Sequence, residues 1–207
     1  MFKKILAPLM AILTALVLAG CGDNTPKEGT HYKKVPVDLS EYNMSPITEV
    51  FSLTCGHCRS MEKVIPELET LTGESIDKLH VTFNKNAHIA AMIYYTAVMQ
   101  LDGKPTPEMM EELFAAIQMQ QDDTSITTQQ EMISNVFDAA GLTNPYKIDT
   151  EMQEELFKMV DQAKEISTRA QINAVPTFVI NGKYEIITSG HTDVASMAET
   201  MTFLLNK

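Results

Sequence analysis

Cys55-Gly56-His57-Cys58 constrains this chain more than any other stretch. The only other cysteine, Cys21, lies far off near the N-terminus. Thiols three residues apart meet across one helical turn and can close a disulfide. Glu49-Val50-Phe51-Ser52-Leu53 before them reads as a buried strand, and the residues after Cys58 read as a helix. A Cys-x-x-Cys pair between a strand and a helix is a redox motif, so the pattern points to thiol–disulfide exchange.

Residues 1–20 read as a secretory signal. Lys3 and Lys4 precede an apolar run from Ile5 to Leu18, followed by small residues up to Cys21. The run is shorter than the ~20 residues of a comfortable membrane span. Leu18-Ala19-Gly20-Cys21 resembles a bacterial lipobox, which would make Cys21 an acylated N-terminus tethered to a membrane; ordinary cleavage nearby is the alternative. Export places the cysteines where disulfides persist. A disulfide spanning two residues restrains little of the unfolded chain, which favours catalysis over a stabilising role. Without residues 1–20 the chain holds 14 basic against 27 acidic side chains, a net charge of −13. Such a balance argues against nucleic acid and against anionic lipid heads at the protein surface.

Residues 21–30 read as a flexible tether. Strands are expected at His31–Val37, with Pro36 limiting it, at Ile47–Leu53 and at Leu79–Phe83. A helix after Cys55 is expected to kink at Pro66 and stop near Gly73. Residues 86–168 carry helical patterns only: Ile89/Met92/Ile93/Thr96/Ala97, Met109/Met110/Leu113/Phe114/Ile117, Met132/Ile133/Val136/Phe137, and a run from Asp149 towards Thr168. Many of the 14 methionines fall here and read as adaptable core filler. Asn181-Gly182 marks a hairpin between Pro176–Ile180 and Lys183–Thr188, and Thr192/Asp193 can cap a last helix. Sheet-forming ends around a helical block describe an α/β unit with an insertion: residues 31–85 and 169–207 make the α/β part, and 86–168 the inserted helical domain.

A thiolate, not a thiol, attacks disulfides. Cys55 would open its helix, where free N–H groups and the macrodipole favour negative charge, and His57 can add a donor or a positive charge. Cys55 is then the sulfur that forms mixed disulfides, and Cys58, turned inward, resolves them. Stabilising the Cys55 thiolate favours the reduced protein and makes its disulfide easier to give away. Glu49 shares a strand face with Phe51 and Leu53 and should point inward; Glu62 shares a helix face with Cys58. Either carboxylate can exchange a proton with an inward thiol, with Lys78 as counter-charge. Val175-Pro176, just before a strand, is a candidate cis bond offering a backbone edge to a client chain.

Three segments, Glu49–Glu62, Lys78–Val81 and Ala174–Tyr184, resemble the DsbA family of periplasmic dithiol oxidases, and the likeness runs from about residue 31 to the end. The resemblance implies a thioredoxin fold with an inserted helical domain. It implies a cis Val175–Pro176 bond packed against Cys55–Cys58, and a buried charged cluster of Glu49, Glu62 and Lys78. It also implies reoxidation by a quinone-linked membrane partner, exported cysteine-containing proteins as clients, a monomer, and no cofactor beyond the Cys55–Cys58 disulfide. Two features depart from the best-known members. Gly-His stands between the cysteines where they carry Pro-His, which bears on how oxidising the site is, and the lipobox marks a lipoprotein variant. Gly22 after Cys21, in place of aspartate, resembles outer-membrane sorting signals.

The alternatives are a membrane-tethered reductase or isomerase, a copper carrier using Cys55, His57 and Cys58, and a holdase whose groove matters more than its thiols. Zinc would need more ligands than one Cys-x-x-Cys, and haem attachment would need histidine where Arg59 stands. His31, His80, His88 and His191 are scattered and read as surface or packing residues.

Overall fold

The structure, a computed structural model, describes residues 25–101, 103–119 and 125–207. The expected signal segment, Cys21 and the start of the tether lie outside the described residues. Five strands form one mixed sheet: β1 (Tyr32–Lys34), β2 (Ile47–Phe51), β3 (Ile76–His80), β4 (Thr177–Ile180) and β5 (Tyr184–Ile186), in the spatial order β1-β5-β4-β2-β3. β2 runs parallel to β3 and antiparallel to β4, so β2 and β3 end at the edge of the sheet where β4 begins. The motif residues after β2 and Val175-Pro176 before β4 therefore meet at that edge.

Every residue of β2 is buried, because helices cover both faces of the sheet. On one face α2 (Ile65–Thr72) packs on α7 (Val194–Leu205), with Leu68, Met201 and Leu204 against Ile47, Phe178 and Ile180. The other face carries α1 (Gly56–Met61) and the consecutive helices α3 (Lys85–Val98), α4 (Pro107–Gln118), α5 (Ile126–Ala139) and α6 (Thr150–Arg169). There α3 lies against α6 and α4 against α5. This is the α/β thioredoxin fold with an inserted helical domain.

Local chemistry sets the boundaries. Asn84, Thr106, Ser125, Asp149 and Asp193 each cap a helix through the side chain, satisfying an N–H that the helix leaves unpaired. Asn181 and Gly182 both take positive φ, 51° and 65°, as a two-residue hairpin turn requires. The expected kink at Pro66 is instead a break. α1 stops at Met61, and Pro66 sits in the first turn of α2, where a missing N–H costs nothing. β3 begins three residues earlier than expected, since Asp77 and Lys78 disguise a strand whose Lys78 is paired with Glu49. In α3 the buried set is wider than the expected face. Ala87, Ala90, Ala91 and Tyr94 are covered, whereas Ile89 is 46% exposed.

One contact at the sheet edge yields a test. A Cβ on Gly190 would lie 2.0 Å from the Thr30 carbonyl oxygen, a backbone atom that cannot swing aside. Gly190→Ala is expected to push the segment before β1 off the sheet and lower stability by about 1–3 kcal/mol in urea unfolding. An unchanged midpoint would mean that this segment contributes nothing to the fold.

Candidate active site

The strand-to-helix turn at Ser52–Cys55 is held by its own polar groups. Thr54 N–H donates to Ser52 Oγ at 3.2 Å, and Cys55 N–H to the Ser52 carbonyl at 2.9 Å. Cys55 then caps α1, its Sγ accepting the Cys58 N–H at 3.2 Å. The sulfur of Cys55 thus sits on the unpaired amides of a helix start, where negative charge is favoured. Cys55 is half-buried and Cys58 fully buried, and both are free thiols. Burial is the main force pushing the Cys58 thiol pKa upward, with Cys55 and the Glu49 charge adding to it.

The Val175–Pro176 peptide is cis, and the Val175 carbonyl faces the site, accepting the Cys55 S–H at 3.5 Å. His57 is exposed, and among the described residues no hydrogen bond joins it to Cys55. The donor to Cys55 Sγ is the Cys58 amide rather than the imidazole.

Glu49, Lys78 and Glu62 come together behind Cys58. Glu49 and Lys78 are register partners on β2 and β3, with Lys78 Nζ donating to Glu49 Oε2 and, at 2.7 Å, to Glu62 Oε1. Their side chains are 0%, 4% and 13% exposed in the order Glu49, Lys78, Glu62, so Glu62 is the member nearest water. Among the described residues, Glu49 Oε1 is buried with no partner. Burial therefore outweighs the attraction of Lys78 and lifts the Glu49 pKa to about 7. Burial pulls the Lys78 pKa down, but the two carboxylates more than offset it, and the net shift is upward. Lys78 stays charged on Glu62 while Glu49 takes up or yields a proton near neutrality.

Two further residues hold the turn: His80, which the sequence reads as a surface or packing residue, and Gln118, which its pattern does not mark. His80, fully buried, accepts the Leu53 N–H on Nε2 at 2.9 Å and meets the Val81 carbonyl through Nδ1 at 2.8 Å. Burial drops its pKa to about 3. It is thus a neutral strut with its proton on Nδ1, a packing residue of a specific kind. Gln118, at the end of α4, reaches the turn from the helical domain. Its only signal in sequence is a polar residue on an apolar helix, which reads as solvated. Thr54, Gly56, Asn84, Ile117, Gln118 and Gln129 help line a cleft of about 600 Å³ beside the turn. Among the described residues, no three His, Cys, Asp or Glu side chains converge as a metal cluster.

Residues 44–199 match the thioredoxin family. Solved structures with the same fold include the disulfide oxidoreductase DsbA from Proteus mirabilis, 18% identical, with a TM-score of 0.64 over 89% of this chain and 100% of that one. DsbA from Klebsiella pneumoniae is 22% identical, with a TM-score of 0.63 over 88% and 98% of the two chains. A Proteus mirabilis DsbA holding a non-covalently bound peptide is 19% identical, with a TM-score of 0.61 over 88% and 99%.

Proposed function

This chain belongs to the thioredoxin family, and on that footing we propose that it is a thiol–disulfide oxidoreductase donating a Cys55–Cys58 disulfide to exported proteins. The observation that carries this reading is the asymmetry of the pair: a half-exposed Cys55 sulfur capping α1 and a buried Cys58 whose thiolate is disfavoured. A client thiolate attacks Cys55 Sγ in the disulfide; the Cys55–Cys58 bond breaks, and Cys58 leaves as a thiolate. A second client thiolate attacks the client sulfur of the mixed disulfide and expels Cys55. Two electrons pass from client to protein, and the client keeps the disulfide.

A Cys58 thiolate inside the fold needs a proton as it leaves. Glu49, ionising near neutrality, can supply it, and Glu62 can pass protons between Glu49 and water while Lys78 holds both carboxylates in place. The exposed His57, two residues from Cys55, offers a ring N–H to the approaching client sulfur or to the thiolate. Val175 and Pro176 form the client edge, since their cis peptide turns the Val175 carbonyl towards Cys55. The signal-like residues 1–20 and Cys21 support a periplasmic protein lipid-anchored to a membrane, the outer one favoured by Gly22, and reoxidised by a quinone-linked membrane partner. No helix among the described residues is long and apolar enough to cross a membrane.

Direction is tested by the potential. Equilibrated with glutathione, the Cys55–Cys58 pair is expected to be reduced at ratios that leave thioredoxin oxidised, that is, at a potential well above roughly −270 mV. A value at or below that figure would reassign the protein as a tethered reductase.

A further inference from the structure

One neutral side chain of the inserted helical domain hydrogen-bonds the backbone of the redox turn. Gln118 Nε2 donates to the Leu53 carbonyl at 2.8 Å and to the Cys55 carbonyl at 3.0 Å. Leu53 is gripped from its other side, where His80 on β3 accepts its N–H at 2.9 Å. The Cys55 carbonyl also accepts the Arg59 N–H at 3.2 Å, so Gln118 holds the peptide on which the first turn of α1 hangs. A second link joins α1 itself to α4, with Arg59 Nε donating to both Glu111 oxygens at 3.1 and 3.2 Å. That pair is half in solvent and contributes little.

We propose that Gln118 is a positioning residue of the redox site, by which the helical domain sets how readily Cys55 and Cys58 close their disulfide. This rests on the thiol–disulfide reading above. Closing the bond requires the Cys55 backbone to be fixed relative to Cys58, and fixing it beforehand removes an entropic cost from ring closure. Without Gln118 the two carbonyls turn to water, the turn gains freedom and the effective concentration of one sulfur at the other falls. In the exchange with glutathione disulfide, the two cysteine thiols give up two electrons and two protons, the Cys55–Cys58 bond forms, and two glutathione thiols are released. The equilibrium constant of that reaction reads the effect directly.

Gln118→Met keeps the side-chain length and removes the donor; Gln118→Leu removes the donor with a shorter apolar side chain, and neither adds charge beside Cys55. Each is equilibrated with glutathione beside the wild type, and the oxidised and reduced forms of each are unfolded in urea. From the worth of two neutral hydrogen bonds, the constant is expected to fall about three- to tenfold in both variants. The oxidised form should be destabilised more than the reduced form. If Gln118 serves the fold alone, both redox forms lose stability equally and the constant stays within about twofold of wild type, which overturns the proposal, as would a rise. Should Gln118→Met fail to fold, Gln118→Leu decides by the same constant. A wild-type protein that forms no Cys55–Cys58 disulfide at any glutathione ratio sinks the parent reading, a result distinct from unchanged variants of a protein that does.

Discussion

Replacing Cys55 with serine is expected to abolish thiol–disulfide exchange outright, whereas Cys58→Ser is expected to lose disulfide donation yet trap mixed disulfides when its Cys55 thiolate attacks a client disulfide. The asymmetry follows from placement. Cys55 is the sulfur a client can reach, and it caps α1 with the Cys58 amide 3.2 Å away. A serine there keeps the cap and the fold but has no sulfur to bond. Cys58 is sealed beneath it, so a client cannot reach it and only Cys55 can. In Cys58→Ser the Cys55 thiolate can attack a client disulfide and expel one client thiol, but no Cys58 thiol is there to displace the other. Mixed disulfides with oxidised client proteins should therefore accumulate on non-reducing gels. A holdase that merely uses the groove would keep its activity in Cys55→Ser, and a copper carrier would lose metal rather than exchange. Mixed disulfides appearing in Cys55→Ser instead would reverse the assigned roles of the two thiols.

Much of the site was legible because its chemistry is local. The Cys-x-x-Cys spacing, the inward parity of Glu49 on its strand and the four-residue step from Cys58 to Glu62 all follow from one strand and one helix. The Asn181-Gly182 turn is likewise written in two residues. What escaped depends on contacts between distant segments. Asp77 and Lys78 hid only the start of β3 at Ile76, because charged residues within a strand read as solvated until Lys78 is set beside Glu49. The helical pattern groups Ile89 with the apolar face of α3, but alanines at 87, 90 and 91 let the helix lie close to its neighbours by another face. Gln118 and His80 lie 63 and 25 residues after Cys55, and each matters through a backbone group that no side-chain pattern reveals.

The charged cluster carries the second large effect. Lys78→Met is expected to cost about 3–5 kcal/mol near pH 8, because it leaves buried carboxylate charge without its counter-ion. Most of that loss should be recovered near pH 5. The sign follows from Glu49, which binds its proton more tightly in the folded protein, with a pKa of about 7 against 4.5. Native stability therefore falls as pH rises from about 4.5 to 7 and then levels, a loss on the order of 3 kcal/mol. Without Lys78 the ionised form of Glu49 is worse still, so the fall extends to higher pH and grows deeper. Acidification neutralises Glu49 and removes the reason for the defect. Glu49→Gln combined with Lys78→Met should accordingly be more stable at pH 8 than Lys78→Met alone. Glu49→Gln by itself should be at least as stable as wild type there, yet release Cys58 more slowly, because it has no proton to give. Urea unfolding at the two pH values separates the possibilities. An equal loss at pH 5 and pH 8 would mean that Lys78 acts through its packing over the Phe51 ring, 5.2 Å from the centroid, and the proton relay would lose its physical basis.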